Sequence, residues 1–399
     1  MEMKNLLKTS VAAGALLALA APMASGSAEA AEKMGGIKGQ NSKVQLTVGG
    51  QIVRSLIYAD DGDHSQLFHV DGRTTGTRVR YIVSGQLTES IKVGGLIEHD
   101  VGQSNDSFQF ADGVTSVTTS ATASTGQVAA ATGNDQSADG TGFGIRHHFV
   151  SFEHKSLGKL SLGQTNTASN GTMELGYAGS GSMTLGGSTM LSGINFTTGA
   201  NGAFTTTNAA SHTSTFDGLS RDDVIRYDTP SFGGFKLATS MQDEGTFDVA
   251  VRYSGKFAGV SVKAAAHYAN VEAGSASVGQ QAGISAAALH TSGLNARIGY
   301  AGRAIQATGR TPRTLIGGVG YIAKLSSLGS TNFYFEYYGA DDTSVQGNEM
   351  ETYYVGVVQK LDSIGSEMGL VYGKHTLDDT AGTDYNDIDT VMFQTKLNF

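Results

Sequence analysis

From residue 43 onward, apolar and polar side chains alternate with a period of two. Val44, Leu46 and Val48 alternate with Lys43, Gln45 and Thr47, and Thr77, Val79, Tyr81 and Val83 with Arg78, Arg80 and Ser84. The same pattern runs through Phe247–Tyr253, Val260–Tyr268, Leu294–Tyr300 and Val391–Phe399. Strict alternation over eight or more residues is the mark of a strand with one apolar and one polar face. It predicts sixteen strands, at 43–58, 77–87, 91–100, 143–154, 159–165, 222–228, 235–242, 247–254, 259–268, 282–292, 294–302, 314–325, 331–339, 351–361, 367–375 and 387–399. No amphipathic helix stands out.

The connections alternate too. Those after odd-numbered strands are mostly long (59–76, 101–142, 166–221, 269–281, 303–313, 340–350 and 376–386), and those after even-numbered strands are short. An even strand number, strands of about ten residues and long loops on one side only define an all-β, antiparallel transmembrane barrel. Both chain ends then lie at the short-turn end, where the first and last strands can pair and leave no open edge. A soluble propeller or sandwich fits less well, because its central strands need burial on both faces. Aromatic residues near predicted strand ends, such as Tyr58, Tyr227, Phe235, Tyr253, Tyr268 and Tyr300, suit interfacial girdles.

Residues 1–30 read as a secretory signal peptide, leaving 31–399 as the barrel. Lys4 and Lys8 form the basic start, Val11 to Met23 the apolar stretch, and Ala28-Glu29-Ala30 the small-x-small cleavage site. The apolar run is shorter than the roughly 20 residues of a membrane-spanning helix. Composition narrows the picture further. The 399 residues include 55 Gly, 3 Pro and no Cys, which excludes disulfides, thiolate nucleophiles and Cys-containing metal sites. The net charge of −9 argues against nucleic acid as a partner. A hydrophobic share of 39% fits a sheet with one wet face.

Four stretches carry a resemblance to a known family. They are Val44-Gln45-Leu46-Thr47-Val48-Gly49-Gly50-Gln51-Ile52-Val53-Arg54, Leu157-Gly158-Lys159-Leu160-Ser161-Leu162-Gly163-Gln164, Arg221-Asp222-Asp223-Val224-Ile225-Arg226-Tyr227-Asp228-Thr229-Pro230-Ser231-Phe232, and the terminal Phe393-x-x-x-Leu397-x-Phe399. In this order they resemble the Gram-negative general porin family in its proteobacterial form. The resemblance implies a homotrimer of 16-stranded barrels in the outer membrane, among its lipid and lipopolysaccharide. It also implies passive diffusion of small hydrophilic solutes and ions, and a third external loop, here 166–221, folded into the lumen. Phe393, Leu397 and Phe399 resemble the C-terminal signal read by the outer-membrane assembly machinery.

In such a channel, function is a physical filter: basic and acidic walls set a field across a constriction. Arg78 and Arg80 lie in the inward phase of the second strand, since an Arg in lipid costs about 2–4 kcal/mol at the midplane. Arg146 and Arg54 are further candidates for the basic wall, although alternation leaves the phase of both open. Arg226, Lys236, Arg252, Lys263 and Arg297 are inward by alternation. On the loop side the candidates are Glu174, Asp217 and Asp222. The loop is poor in acid: Glu174 is the one carboxylate in 166–216. The sign of any ion preference stays open.

Asp60-Asp61-Gly62-Asp63 and Asp384-Tyr385-Asn386-Asp387 offer oxygen ligands to Ca²⁺, but neither fits an EF-hand, and solvated loop charge is the favoured reading. No cofactor is otherwise expected. The ten His are scattered and no nucleophile elbow is present, so an enzyme is not expected. The alternatives are a substrate-specific channel for an anion or sugar on the same barrel, and a loop-based receptor or adhesin.

Overall fold

The computed structural model describes residues 37–38, 43–72, 75–101, 143–177, 191, 194–199, 202–271 and 278–399. The signal-peptide reading, nearly all of the second long connection and the Gly179–Leu185 part of the third fall outside these residues.

Sixteen antiparallel strands form one closed sheet. They are β1 (Val44–Asp60), β2 (Arg78–Gln86), β3 (Ile91–Val101), β4 (Phe143–His154), β5 (Gly158–Asn166), β6 (Arg221–Asp228), β7 (Phe235–Met241) and β8 (Phe247–Phe257). They continue with β9 (Val260–Asn270), β10 (Gln280–His290), β11 (Leu294–Ala304), β12 (Arg313–Ser326), β13 (Gly329–Asp341), β14 (Glu349–Leu361), β15 (Ser366–Asp378) and β16 (Ile388–Asn398). Each strand pairs with its sequence neighbour. The ring closes where β1 pairs with β16, from Gln51 opposite Asn398 to Asp60 opposite Asp389. Phe399 completes the seam by exchanging backbone hydrogen bonds with Gly50 at 2.8 and 3.1 Å.

The alternation in the sequence becomes two faces. Ile52, Leu56 and Tyr58 on β1, Ile225 and Tyr227 on β6, and Phe393 and Leu397 on β16 are exposed on the outer face. Many of the intervening inner positions are polar, including Ser55, Glu98, Ser151, Arg226, Gln281 and Gln394, all of them buried, while β1 and β12–β16 also turn large apolar residues inward.

Two departures from simple alternation matter. First, 59–76 is not all loop. Ser65–Val70 is a strand that pairs with Ser55–Asp60 in line with β2, so the second wall position is made in two pieces. Between them, where the ladder is interrupted, Thr77 Oγ1 accepts a hydrogen bond from Val53 N at 3.1 Å, and Gln51 Nε2 donates to Gly76 O at 2.8 Å. Second, β4 carries a bulge. Glu98 of β3 faces His147, but His99 faces Ile145, so Arg146 is the extra residue. A bulge shifts the strand by one position and turns two consecutive side chains to one face.

The main apolar cluster joins the connection between β5 and β6 to the sheet. Met173, Leu191, Ile194, Phe196 and Phe216, from the connection between β5 and β6, pack on Ile57, Ile316, Tyr338, Met350, Tyr354, Val371 and Met392 from the inner faces of β1 and β12–β16. Within that connection Asn195–Thr198 and Ala203–Asn208 form a hairpin, followed by a short 3-10 turn at Ala209–His212.

Candidate pore constriction

The inner register of β2, β3 and β4 brings five charges together. Arg78 faces Asp100 and Arg80 faces Glu98 as direct cross-strand partners. Arg78 Nε donates to Asp100 Oδ1 at 3.2 Å, and Arg80 Nε donates to Glu98 Oε2. The bulge turns Arg146 inward with His147. Arg146 Nε donates to Glu98 Oε1 at 2.9 Å and its Nη1 to Asp100 Oδ2 at 3.3 Å. Glu98, only 2% exposed, thus lies among three guanidinium groups, with Arg78 Nη1 at 3.9 Å. Opposite charges directly across adjacent strands are favourable pairs, and a carboxylate bound by several guanidinium groups is held in fixed geometry. Arg221, at the return from the third long connection, lies close enough to feel the charges of Arg146, Asp100 and Glu98.

Arg54 does not join this group. It faces Thr395 of β16 and shares the outer register with Ile52 and Leu56, while Val53, Ser55 and Ile57 turn inward. The open phase is therefore resolved against the inner wall, because β1 keeps one register without a bulge.

A second set of arginines does different work. Arg226, Arg252 and Arg297 face inward as alternation predicts, but each holds backbone of the β5–β6 connection. Arg226 Nη1 donates to the carbonyls of Asn166 and Thr167 at 2.9 Å each, Arg252 Nη2 to Asn170 O at 2.7 Å, and Arg297 Nη2 to Met173 O at 2.9 Å. Arg226 also forks onto Asp228 at 2.9 Å, and Lys236 Nζ lies 3.6 Å from the same carboxylate. Lys263 sits 4.4 Å over the Tyr177 ring. Ser285 Oγ donates to Thr172 O at 2.5 Å, and Gln281 Nε2 to Gly218 O at 2.9 Å. Asp248 accepts from Ser169 N at 2.7 Å and from Ala168 N at 3.3 Å.

The three acidic candidates separate. Asp217 is half-buried near the return of the connection and ties its two ends together. Its carboxylate accepts from Gly171 N and Met173 N, each at 2.6 Å. Burial is the larger influence and pushes the Asp217 carboxyl up to about 7, against those two hydrogen bonds and the charges of Arg252 and Arg297. Glu174 is near enough to Arg297 and to Arg221 for its charge to act on both. Asp222 is exposed, opposite Thr165.

Sequence reasoning missed Glu98 and Asp100. The signal was present: both lie in the inner phase of the third strand, at the same two-residue spacing as Arg78 and Arg80. The acidic loops spend carboxylate oxygens on local donors. Asp61 accepts from Asp63 N, His64 N and Thr197 Oγ1, and Asp387 pairs with Lys374 at 2.6 Å. Among the described residues no group of three His, Asp or Glu could hold a metal ion.

A sequence model of the Gram-negative porin family matches residues 15–380. No curated protein sequence matches the chain. Solved structures share the fold at low identity. In-vitro folded OmpT, an outer membrane protein of Vibrio cholerae, is 12% identical, with a TM-score of 0.55 over 90% of this chain and 99% of that one. An anion-selective porin from Comamonas acidovorans is 13% identical, with a TM-score of 0.55 over 89% and 100%. Salmonella typhi OmpF in complex with daunomycin is 12% identical, with a TM-score of 0.52 over 90% and 98%.

Proposed function

Because the chain belongs to the Gram-negative porin family, a family of outer-membrane channels rather than enzymes, we propose that it forms a water-filled pore for passive diffusion of small hydrophilic solutes and ions. In this reading the β5–β6 connection folds into the lumen and narrows it. The carrying observation is the set of hydrogen bonds from inner-face Arg226, Arg252 and Arg297 to its successive carbonyls. The passage then runs between that loop and the Arg78–Arg80–Arg146 wall.

A general filter is favoured over a specific site. The wall charges are already joined to one another through Glu98 and Asp100, so they set a field without presenting an empty ligand cage. Three guanidinium groups face two carboxylates there, and the loop adds Glu174 against Arg221. The balance favours anions weakly. Asp217 opposes this little, because its carboxylate is engaged by Gly171 N and Met173 N within the loop.

We place three such barrels side by side in the outer membrane, after export with residues 1–30 removed. The fold is shared with OmpT of Vibrio cholerae, which is described in a trimer form. Assembly through recognition of Phe393, Leu397 and Phe399 fits their exposure on the outer face of the closing strand.

Planar-bilayer recording tests the reading. Ohmic steps in groups of three without saturation, and a reversal potential displaced slightly to the anion side, are expected. Saturation by one solute would favour a specific channel, and the absence of any conductance would reject both.

A further inference from the structure

We propose, resting on the channel reading, that the wall between Val70 and Arg78 is extruded inward, and that Asp71, Gly72, Gly76 and Thr77 form a second constriction element above Arg78. Register reveals the extrusion. The strand Ser65–Val70 ends with Val70 opposite Ser55, and β2 begins with Arg78 opposite Gln51. On β1 only three residues, Ile52, Val53 and Arg54, lie between those partners, against seven, 71–77, on the other side. Four residues are therefore extra. Because four is an even number, alternation keeps its phase across the break, and Val70 and Arg78 are both buried on the inner face.

Contacts fix the direction as inward. A Cβ on Gly72 would lie 2.5 Å from Val53 Cγ1 and 3.2 Å from Gln394 Oε1, both side chains being fully buried on the inner faces of β1 and β16. Gln51 Nε2 holds Gly76 O, and a Cβ on Gly76 would lie 3.9 Å from Asp100 Oδ1. The extrusion thus lies over β16 and β1 and reaches the charge cluster at β3. Asp71 cinches its mouth. One carboxylate oxygen accepts from Gly72 N at 2.8 Å and from Thr77 Oγ1 at 3.1 Å. Thr77 Oγ1 in turn accepts from Val53 N, so β1 keeps a partner where the wall leaves it.

The membrane gives the reason. Val53 lies near the middle of β1, Val44–Asp60, at a depth where the outer face of a membrane barrel meets hydrocarbon. Irregular backbone is tolerated there only where it is buried in protein or lines a wet cavity. On the outer face the extra residues would carry N–H and C=O groups into lipid. On the inner face they meet Gln51, Asp71 and Thr77. Chain placed there takes cross-section from the lumen. A solute entering from the long-loop end meets it before Arg78 and Arg80, so it sorts by size ahead of the charged wall.

Deletion of 71–74 from the full chain is the test. It removes one Asp and one Arg, so net charge is unchanged, and it sets Thr75, Gly76 and Thr77 opposite Arg54, Val53 and Ile52 in one unbroken ladder. Single-channel conductance in planar bilayers should rise about 1.5-fold or more, since current through a water-filled pore follows its narrowest section. The reversal potential should stay near that of the parent. Unchanged or lower conductance in the variant, once heat-modifiable gel mobility has confirmed its folding, would overturn the proposal. A second variant serves if the deletion does not fold. The chain has no Cys, so Gly76→Cys carries a single thiol, at a half-exposed position. In liposomes a water-soluble, membrane-impermeant maleimide should label it and lower the conductance. The same reagent should not label Ile52→Cys, on the outer face. Failure to label folded Gly76→Cys would overturn the inward placement, and labelling without loss of conductance would overturn the narrowing. A parent that conducts nothing would reject the channel reading, and the inward placement would then stand or fall on the labelling.

Discussion

Arg146 donates from Nε to Glu98 Oε1 at 2.9 Å, and it reaches that carboxylate only because it is the extra residue of a bulge. Without the bulge, inner alternation from His147 would put Arg146 on the outer face.

Glu98→Gln removes the one carboxylate that Arg78, Arg80 and Arg146 share. The constriction gains a unit of positive charge. At about 8 Å in water a unit charge is worth about 0.5 kcal/mol to a passing ion, a factor of two to three. The anion-to-cation permeability ratio should rise by about that factor, read as reversal potential in a salt gradient. The three guanidinium groups also lose their shared acceptor, and the heat-dissociation midpoint should fall, reflecting about 1.5–3 kcal/mol.

Arginines on the same inner wall should separate into two classes. Arg78→Ala with Arg80→Ala removes wall charge, and should move the reversal potential to the cation side with little added current noise. Arg252→Ala leaves Asn170 O without its donor at 2.7 Å. Its expected effect is a loosened loop: noisier, larger single-channel steps and a small change in reversal potential. Bilayer recordings of both variants check the distinction, and equal shifts in reversal potential would reject it.

Strand number, loop asymmetry and the inner phase of Arg78 and Arg80 were legible in the sequence, because a period of two survives wherever the ladder is regular. What was not legible lies where the ladder breaks. The phase of Arg146 depends on a bulge, which no pattern of apolar residues announces in Arg146-His147-His148-Phe149. The segment Ser65–Val70 reads as loop because Thr77 replaces a backbone partner of β1 with its side chain. Arg226, Arg252 and Arg297 face inward as expected, but alternation cannot tell a charge facing water from one bound to a carbonyl. Asp217 and Asp222 are near neighbours in sequence, yet one is tied into the loop through Gly171 N and Met173 N and the other is exposed.

Asp217 gives the fold a dependence on pH. Its ordinary value of 3.8 applies to the unfolded chain, and burial raises it to about 7 in the folded one. A raised folded value means that its contribution to stability is complete below 3.8 and is lost as pH rises towards 7. Asp217→Asn cannot ionise, so the difference in unfolding midpoint between pH 4 and pH 7 should shrink in that variant. Like the protonated carboxyl it replaces, the amide offers one carbonyl acceptor to the Gly171–Met173 pair, so at pH 4 the variant should be about as stable as the parent and at pH 7 more stable. Urea titrations of the refolded protein at both pH values check the two signs.

Closure of the barrel depends on an absent side chain. A Cβ on Gly50 would lie 2.3 Å from the Arg78 carbonyl oxygen and 2.5 Å from the Phe399 ring. The ring can move, but the carbonyl belongs to β2 and cannot shift without breaking its ladder. Gly50→Ala should therefore cost more than the ~1–3 kcal/mol of ordinary overpacking. Phe399→Ala differs, because its bonds to Gly50 run through the backbone and survive the substitution. Refolding in detergent should thus fail or slow for Gly50→Ala and succeed for Phe399→Ala, scored as the fraction of heat-modifiable band. Expression in cells should reduce both on the proposed reading, in which Phe399 is also recognised by the assembly machinery. Normal assembly of Phe399→Ala in cells would remove that role and leave the residue as a cover over Gly50.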